Sequence, residues 1–444
     1  MSVAAIVLAA GLGTRMKSSL PKVLHPLAGR PLLAHLLDTL SCLSPQEVAV
    51  VIGPEQEAVA KLAAPHRTVL QTERLGTAHA ALQAKPVIGD FPGDVLILFG
   101  DTPLVTSDTM QRLVARRREA DDPAVVVLGF RPDDPAGYGR LVLGTEGLLR
   151  IVEVKDATEA ERTIPWCNSG VMAVDGRILM ALLERVDNQN AKGEYYLTDL
   201  VGLARAQGRI CAMVEGEAEE LLGINSRSEL AEAEDILQRR LRDQAMANGA
   251  TLIGAETIFF SWDTKLGRDV VVGPSVVFGP SVVVEDEVEI RAFCHLEDCH
   301  VAKGAVVGPF ARLRPGAQIG EEAHIGNFVE IKKSVVEAGA KVNHLTYIGD
   351  ARVGAKANIG AGTITCNYDG FGKYLTDIGK GAFIGSNSAL VAPVKIGDGA
   401  IVGAGSVVTR DVPKDALSLA RGEQRDIEGW AARFRESKSK NKKG

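Results

Sequence analysis

The chain has no excess of positive charge: 50 Lys and Arg stand against 56 Asp and Glu, for a net charge of −6. A dedicated nucleic-acid binder usually carries a basic stripe, so that class is set aside. Long apolar runs are also missing, and none approaches the ~20 residues that a membrane-spanning helix needs. The opening Met1-Ser2-Val3-Ala4 has no basic stretch ahead of its first apolar run, so no secretory signal is expected. Cysteine is sparse, with six residues scattered at 42, 167, 211, 294, 299 and 366. That pattern suits reduced thiols of a cytoplasmic protein rather than a disulfide framework. The rest is ordinary for a globular chain, 46% apolar and 24% charged. A length of 444 residues suggests two or three domains at ~150 residues each.

Glycine divides the chain. Residues 1–249 hold 21 glycines, whereas the shorter stretch 250–410 holds 23. The first part alternates short β-rich runs (Ala4–Ala9, Val48–Ile52, Val95–Phe99) with helix-like stretches such as Pro31–Leu40 and Gly76–Ala84. Such alternation predicts a mostly parallel sheet with helices on both faces, and ligands at the carboxyl ends of its strands. Ser226 and Glu229 have capping-box spacing, and Leu230, Ala233, Ile236, Leu237, Leu241 and Ala245 then recur at helical intervals up to Gly249. One long linker helix is expected there. In the second part, Leu266, Val272, Phe278, Val284 and Ile290 are six apart, as are Ile378, Ile384, Leu390, Ile396, Val402 and Val408. A six-residue period fits neither a helix face nor strand alternation. It fits a parallel β-helix that turns a corner every six residues. The stretch 365–377 breaks the period and is expected to leave the coil as a bulge or loop. The basic tail Lys438–Gly444 is expected to be disordered.

Three constellations carry chemistry. The first is Leu8-Ala9-Ala10-Gly11-Leu12-Gly13-Thr14-Arg15-Met16 with Pro21-Lys22 downstream. Glycines after a strand let backbone N–H groups approach phosphate oxygens, and Arg15 and Lys22 add positive charge. The second is Phe99-Gly100-Asp101, which puts a carboxylate at a strand's carboxyl end, a suitable place to hold Mg²⁺ over a nucleotide. The third is Asn343-His344-Leu345-Thr346-Tyr347 with Cys366-Asn367-Tyr368, polar strings in a region otherwise small and aliphatic. A neutral His344 could take a proton from an amine, and Arg314 and Lys332, two or so coils away, suit a phosphorylated acceptor. The run Cys294-His295-Leu296-Glu297-Asp298-Cys299-His300 tempts a zinc reading. Structural zinc sites draw on two separated ligand pairs, so an ordinary coil surface is expected instead.

Taken in order, these strings resemble the bifunctional bacterial N-acetylglucosamine-1-phosphate uridyltransferase / glucosamine-1-phosphate acetyltransferase family. The resemblance runs from Val3 to about Arg421 and adds Gly137-Tyr138-Gly139-Arg140, Asn168-Ser169-Gly170, Gly193–Asp199, Gly223-Ile224-Asn225, Gly308–Gly316 and Gly360–Gly370. It implies a Rossmann-like α/β nucleotidyltransferase domain over 1–225, a linker helix over 226–249, a left-handed β-helix over 250–421 and a tail over 422–444. It implies that Asp101 and Asn225 hold Mg²⁺, and that Arg15 and Lys22 contact phosphates. Gln71 and Thr77 would read the uracil of UTP beside the backbone of Leu8, Ala9, Ala10 and Gly11, and Gly76, Phe99 and Gly100 would also bind substrate. Gly139, Glu153 and Asn168 would bind N-acetylglucosamine-1-phosphate. In the second half His344 would be the general base, with Arg314, Lys332, Tyr347 and Asn358 on glucosamine-1-phosphate. Ala361, Asn367, Tyr368, Ser386, Ala404 and Arg421 would line the acetyl-CoA cleft of a homotrimer whose acetyl-transfer site is shared between subunits. Phe99 departs from the family, which often has Tyr there. The rivals are a single-activity sugar-1-phosphate nucleotidyltransferase with a purely structural β-helix, and a scaffold that has lost catalysis. The polar strings of the coil speak against the first, and intact Lys22, Asp101, Asn225 and His344 against the second.

Overall fold

A computed structural model describes residues 2–135 and 137–440. The chain forms two compact units, one reaching to Leu241 and the other beginning at Arg242.

The first unit is built on a nine-stranded sheet. Its strands are β1 (Val3–Leu8), β2 (Glu47–Ile52), β3 (Arg67–Leu70), β4 (Asp94–Phe99), β5 (Val125–Phe130), β6 (Arg140–Gly144), β7 (Gly147–Val152), β8 (Cys167–Asp175) and β9 (Cys211–Glu215). The main order is β9-β5-β8-β4-β1-β2-β3, and the β6–β7 hairpin joins through β8. β1 pairs in parallel with both β2 and β4, whereas β8 runs antiparallel between β4 and β5. β1 is apolar at every position because both sheet faces are covered. Ala4 and Ile6 enter the core on one face with Ile97 and Met172. Ala5 and Val7 enter the opposite core with Leu36 and Leu96. Helix Leu32–Ser41 packs Leu33, Leu36, Leu37 and Leu40 into the second core, and helices Gly176–Leu183 and Asp199–Ala206 pack into the first.

The expected linker helix is Arg227–Ala247. Ser226 Oγ accepts from the Glu229 N–H, as the capping spacing predicts. The Glu229 carboxylate, however, accepts from the N–H of Asn225, one residue further back, at 2.8 Å. The cap therefore fixes the backbone of a candidate metal ligand.

The second unit is a left-handed parallel β-helix. Following the chain round one coil, Val271–Val272 belongs to face I, Val277–Phe278 to face II and Val282–Val284 to face III. Among the described residues these faces are parallel sheets of ten, eight and eight strands. Val272, Phe278, Val284 and Ile290 point inward and are buried, as their spacing requires. Register shows where the period slips. Ile319 pairs with Val336 and Val336 with Val353, but Val353 pairs with Ile378. The extra residues of that coil emerge after strand Ile364–Cys366, within the stretch expected to leave it. The tail differs from expectation: Trp430–Lys440 is helical, so the helix runs into the segment read as disordered, and residues 441–444 lie outside the described residues.

Left-handed corners alone do not account for the glycines of the coil. Several left-handed corners are occupied by Ser281, Glu287, Phe293 and Lys356, among others. The glycines after the inward aliphatics are needed for close approach between coils. A Cβ on Gly326 would sit 2.0 Å from the Asn343 carbonyl oxygen, and one on Gly385 would sit 2.4 Å from the Ala404 nitrogen. Gly385→Ala should therefore destabilise the β-helix by about 1–3 kcal/mol, the usual cost of overpacking. Calorimetry should show its transition move down, and an unchanged melting temperature would contradict close approach as the cause.

Candidate active sites

In the first unit the chemistry collects where β1 and β4 end side by side. Leu8 pairs with Phe99, so the turn after Leu8 and the Gly100-Asp101 turn leave the sheet together. A cavity of about 220 Å³ opens there. Its walls include Leu8, Ala9, Ala10, Gly11, Lys22, Gln71, Gly76, Thr77, Phe99 and Asp101 from the expected set. Gly100 lies beneath, donating its N–H to the Leu8 carbonyl at 2.9 Å. Gln71 is buried; its amide donates to the Gly76 carbonyl at 3.1 Å and lies 3.2 Å from His79 Nδ1. Gly76 has φ +126, and a Cβ there would strike the Tyr195 backbone at 2.4 Å, so only glycine fits. Thr77 accepts from the Leu197 N–H at 3.0 Å, which locks segment 194–199 against this wall.

Lys22 bridges the two candidate metal ligands. Its ammonium donates to Asp101 Oδ2 and, at 2.8 Å, to Asn225 Oδ1. The two oxygens suit a hard divalent ion that takes its remaining ligands from water and phosphate, and the ammonium already stands between them as a cation. No cluster of three or more His, Cys, Asp or Glu poised for a metal occurs among the described residues. Arg15 lies exposed on the turn Thr14–Met16 and is not part of the cavity wall. Arg74 and Glu194 are wall residues that the sequence reading passed over, and Arg74 donates to the Ala10 carbonyl at 2.8 Å.

The three expected sugar-binding residues are gathered beside this cavity. The Asn168 N–H donates to the Gly139 carbonyl at 2.9 Å, and a Cβ on Gly139 would lie 3.7 Å from Glu153 Oε1. The Phe99 ring packs on Gly170, where a Cβ would be only 2.7 Å from it. Glu153 also faces a second cavity of about 530 Å³, shared with Tyr196, Thr198 and Asp199. Burial raises the Glu153 carboxyl above its ordinary range. Asp199 is pushed up to about 6 by burial, with Asp187, Glu153 and Asp156 adding like charge.

In the second unit the strand register brings the expected residues into line. Asn327 pairs with His344, and the neighbouring registers place Ala361, Ser386 and Ala404 at the same position of successive coils. These five form one column along the corner between faces I and II. His344 Nδ1 lies 2.8 Å from Asn327 Oδ1. As an acceptor, that amide oxygen holds the proton on Nδ1 and leaves Nε2 free to accept one. The sequence reading missed this role for Asn327. The signal was available: it stands one 17-residue coil before His344. Arg421 donates to the Ala404 carbonyl at 2.7 Å and so reaches the same column.

Face II carries the charged groups. Arg314 donates to Glu330 at 2.8 Å, Glu330 pairs with Tyr347, and Lys332 lies 3.7 Å from Asp350. The Asn367 amide donates to Asp350 at 2.6 Å. The loop after Cys366 carries Tyr368, whose hydroxyl donates to the Gly370 carbonyl, and returns Lys373 against Lys332. That contact holds the Lys373 ammonium below its ordinary pKa. Lys373 was also missed, although it sits in the loop the sequence flagged. Asn358 lies apart, on face I, in a groove with His324, Lys341 and Lys356. Within one chain the expected glucosamine-1-phosphate set is therefore divided between two faces. The zinc reading stays set aside. Cys294, Leu296 and Cys299 point into the core, and burial raises the two thiols to about 11 and about 12.

Comparison with known proteins agrees with both halves. The family description MobA-like NTP transferase domain matches residues 5–160, and Bacterial transferase hexapeptide (six repeats) matches residues 298–333 and 376–410. A protein of Paramagnetospirillum magneticum named Bifunctional protein GlmU is 66% identical over 439 residues, covering 99% of this chain and 98% of the relative. Relatives of the same name from Rhodospirillum rubrum and Azorhizobium caulinodans are 67% and 57% identical, each covering at least 97% of both chains.

The raised Asp199 carboxyl generates a pH prediction. The folded chain keeps a proton that the unfolded chain releases near pH 4. Stability is therefore fullest below pH 4 for this group and declines as pH rises through about 6. Asp199→Asn should stabilise the first unit by about 1–2 kcal/mol at pH 8, after allowance for partial solvent screening, and by almost nothing at pH 4. Denaturant titrations at the two pH values measure the difference, and an equal effect at both would contradict the assignment.

Proposed function

The chain belongs to the family of bifunctional GlmU proteins, and on that premise we propose where its two reactions occur and which residues carry them. It is a bifunctional enzyme of UDP-N-acetylglucosamine synthesis, with UDP-N-acetylglucosamine pyrophosphorylase and glucosamine-1-phosphate N-acetyltransferase activities. The product is a precursor of peptidoglycan and lipopolysaccharide. Its substrates are small molecules, and it uses a metal and acetyl-CoA. Among the described residues no helix is long and apolar enough to cross a membrane.

Uridyl transfer is assigned to the β1/β4 cavity of residues 1–225. Gln71, Thr77 and the backbone from Leu8 to Gly11 hold the uracil end of UTP. Gly139, Glu153 and Asn168 hold N-acetylglucosamine-1-phosphate, whose phosphate oxygen attacks the α-phosphorus in line as pyrophosphate leaves. Lys22 and Arg15 offset the charge on the phosphates, so catalysis is mainly positioning and electrostatics. Asp101 and Asn225 would hold Mg²⁺, which when bound supplies further charge neutralisation on the triphosphate. The observation that carries this reading is the meeting of Lys22, Asp101 and Asn225, from three separate segments, beside the cavity that Lys22 and Asp101 line.

Acetyl transfer is assigned to the corner column of residues 250–421, beyond the linker 226–249. Ala361, Ser386 and Ala404 are small and leave room beside the corner for acetyl-CoA, with Asn367, Tyr368 and Arg421 at its edges. His344 Nε2 takes a proton from the amine of glucosamine-1-phosphate, the amine nitrogen bonds to the thioester carbonyl carbon, and the coenzyme leaves as its thiolate. Arg314, Lys332 and Tyr347 bind the sugar phosphate. The placement of Asn358 on another face supports a site completed by a second copy, and we take the oligomer to be a homotrimer. The few, buried or unpaired thiols suit a cytoplasmic location. The tail 422–444 has no assigned role.

Single substitutions separate the two activities. Asp101→Ala should lower uridyl transfer by about a hundredfold or more and spare acetyl transfer. His344→Ala should lower acetyl transfer by roughly 10²–10⁴ and spare uridyl transfer. Loss of both activities from either change, in a folded chain, would refute the two-site assignment. A fall of less than about tenfold for His344→Ala would reduce it to a binding residue.

A further inference from the structure

The Lys22 ammonium is bonded at once to both oxygens assigned to the divalent ion, Asp101 Oδ2 and Asn225 Oδ1. The contact is partly dry: the Lys22 and Asp101 side chains are 12% and 18% exposed. A carboxylate so placed needs a nearby cation to offset its desolvation. Asn225 is held ready on two sides. Its N–H bonds Glu229 at 2.8 Å, and its side-chain amide donates to the Gly223 carbonyl at 3.0 Å, which turns Oδ1 towards Lys22. The Lys22 backbone is fixed too. It opens the turn Lys22–Leu24, and Gly13 packs so closely that a Cβ there would come 2.6 Å from Lys22 Cβ. What remains free to move is a point charge on a flexible four-carbon stem.

We propose that Lys22 is the resident cation of this site: its ammonium competes with the divalent ion for Asp101 and Asn225 and must turn to a substrate phosphate before those oxygens can serve the ion. This inference rests on the uridyl-transfer reading above. An ammonium bonded to both oxygens stands where an ion bridging them would sit, and two cations at one carboxylate repel. A nucleoside triphosphate removes the conflict, because its phosphates give Lys22 another partner of the same charge type as Asp101. Lys22 thereby makes the ion and the nucleotide favour each other's entry, and it disfavours an ion bound without nucleotide. The same side chain serves the apo site as counter-ion and the loaded site as phosphate ligand.

The test is a titration of the full chain with Mn²⁺ alone, without nucleotide, following the free aqua ion by electron paramagnetic resonance. Lys22→Met keeps the stem and removes the charge. It should bind Mn²⁺ about tenfold more tightly than the native chain, the scale of one partly buried ion pair. Lys22→Arg, which keeps a cation, should stay near the native affinity. Asp101→Asn should remove the tight binding in every background. If Lys22→Met binds no tighter while Asp101→Asn abolishes binding, Lys22 does not compete: the proposal falls and the metal-site reading stands. If Asp101→Asn leaves binding unchanged, the ion is held elsewhere and both fall. Lys22→Gln takes the place of Lys22→Met should circular dichroism show that the latter is unfolded.

Discussion

Parallel strand register is the constraint on which both halves of the molecule depend. In the first unit Leu8 stands level with Phe99, so two short turns, each harmless alone, leave the sheet at one point. Strand ends in such sheets leave backbone N–H groups and turn side chains facing outward without a following strand to cover them. In the second unit the coil repeat converts sequence distance into a ladder of ~4.8 Å steps. Asn327 and His344, far apart in sequence, become neighbours because Ile325 is level with Val342. The backbone approach that fixes the ladder is the one that excludes a Cβ at Gly326 and Gly385. Packing and chemistry are thus set by the same hydrogen-bonded rows.

The two sites use charge differently. The cavity at the ends of β1 and β4 has its charges partly buried and mutually paired, as Lys22 is with Asp101 and Asn225. The face II cluster is more open. Arg314 and Lys332 are paired with Glu330 and Asp350, and Lys373 lies against another lysine. Like charges held together in this way favour an anionic ligand, which relieves the repulsion. On the assignment proposed above, a phosphorylated amino sugar would supply that anion, with its amine towards the free nitrogen of His344.

Much of this is legible in the sequence. The six-residue period located the inward residues of the coil, and the slip at 365–377 located its loop. The opening glycine string and Phe99-Gly100-Asp101 located the cavity. Ser226 and Glu229 located the start of the linker helix, but not that Glu229 reaches the N–H of Asn225, because one residue of reach is a matter of side-chain rotamer. Arg74 and Lys373 were missed for a common reason: each acts through a partner distant in sequence, and neither composition nor local spacing records that partner, whereas Asn327 stands one coil before His344 and the repeat itself pointed to it. The helix that reaches Lys440 was not legible because a polar, basic stretch looks unstructured by composition, whereas Trp430 and Phe434, four residues apart and ahead of that stretch, stack on one helix face at 5.0 Å.

The central claim is that one chain performs two transfers in sequence at two separate places. The most direct measurement supplies the purified protein with glucosamine-1-phosphate, acetyl-CoA, UTP and Mg²⁺ and follows free thiol and pyrophosphate independently. The account predicts thiol release first, then pyrophosphate whose appearance requires acetyl-CoA. Pyrophosphate formed only when N-acetylglucosamine-1-phosphate is supplied, with no thiol released, would contradict it and leave the β-helix as a scaffold.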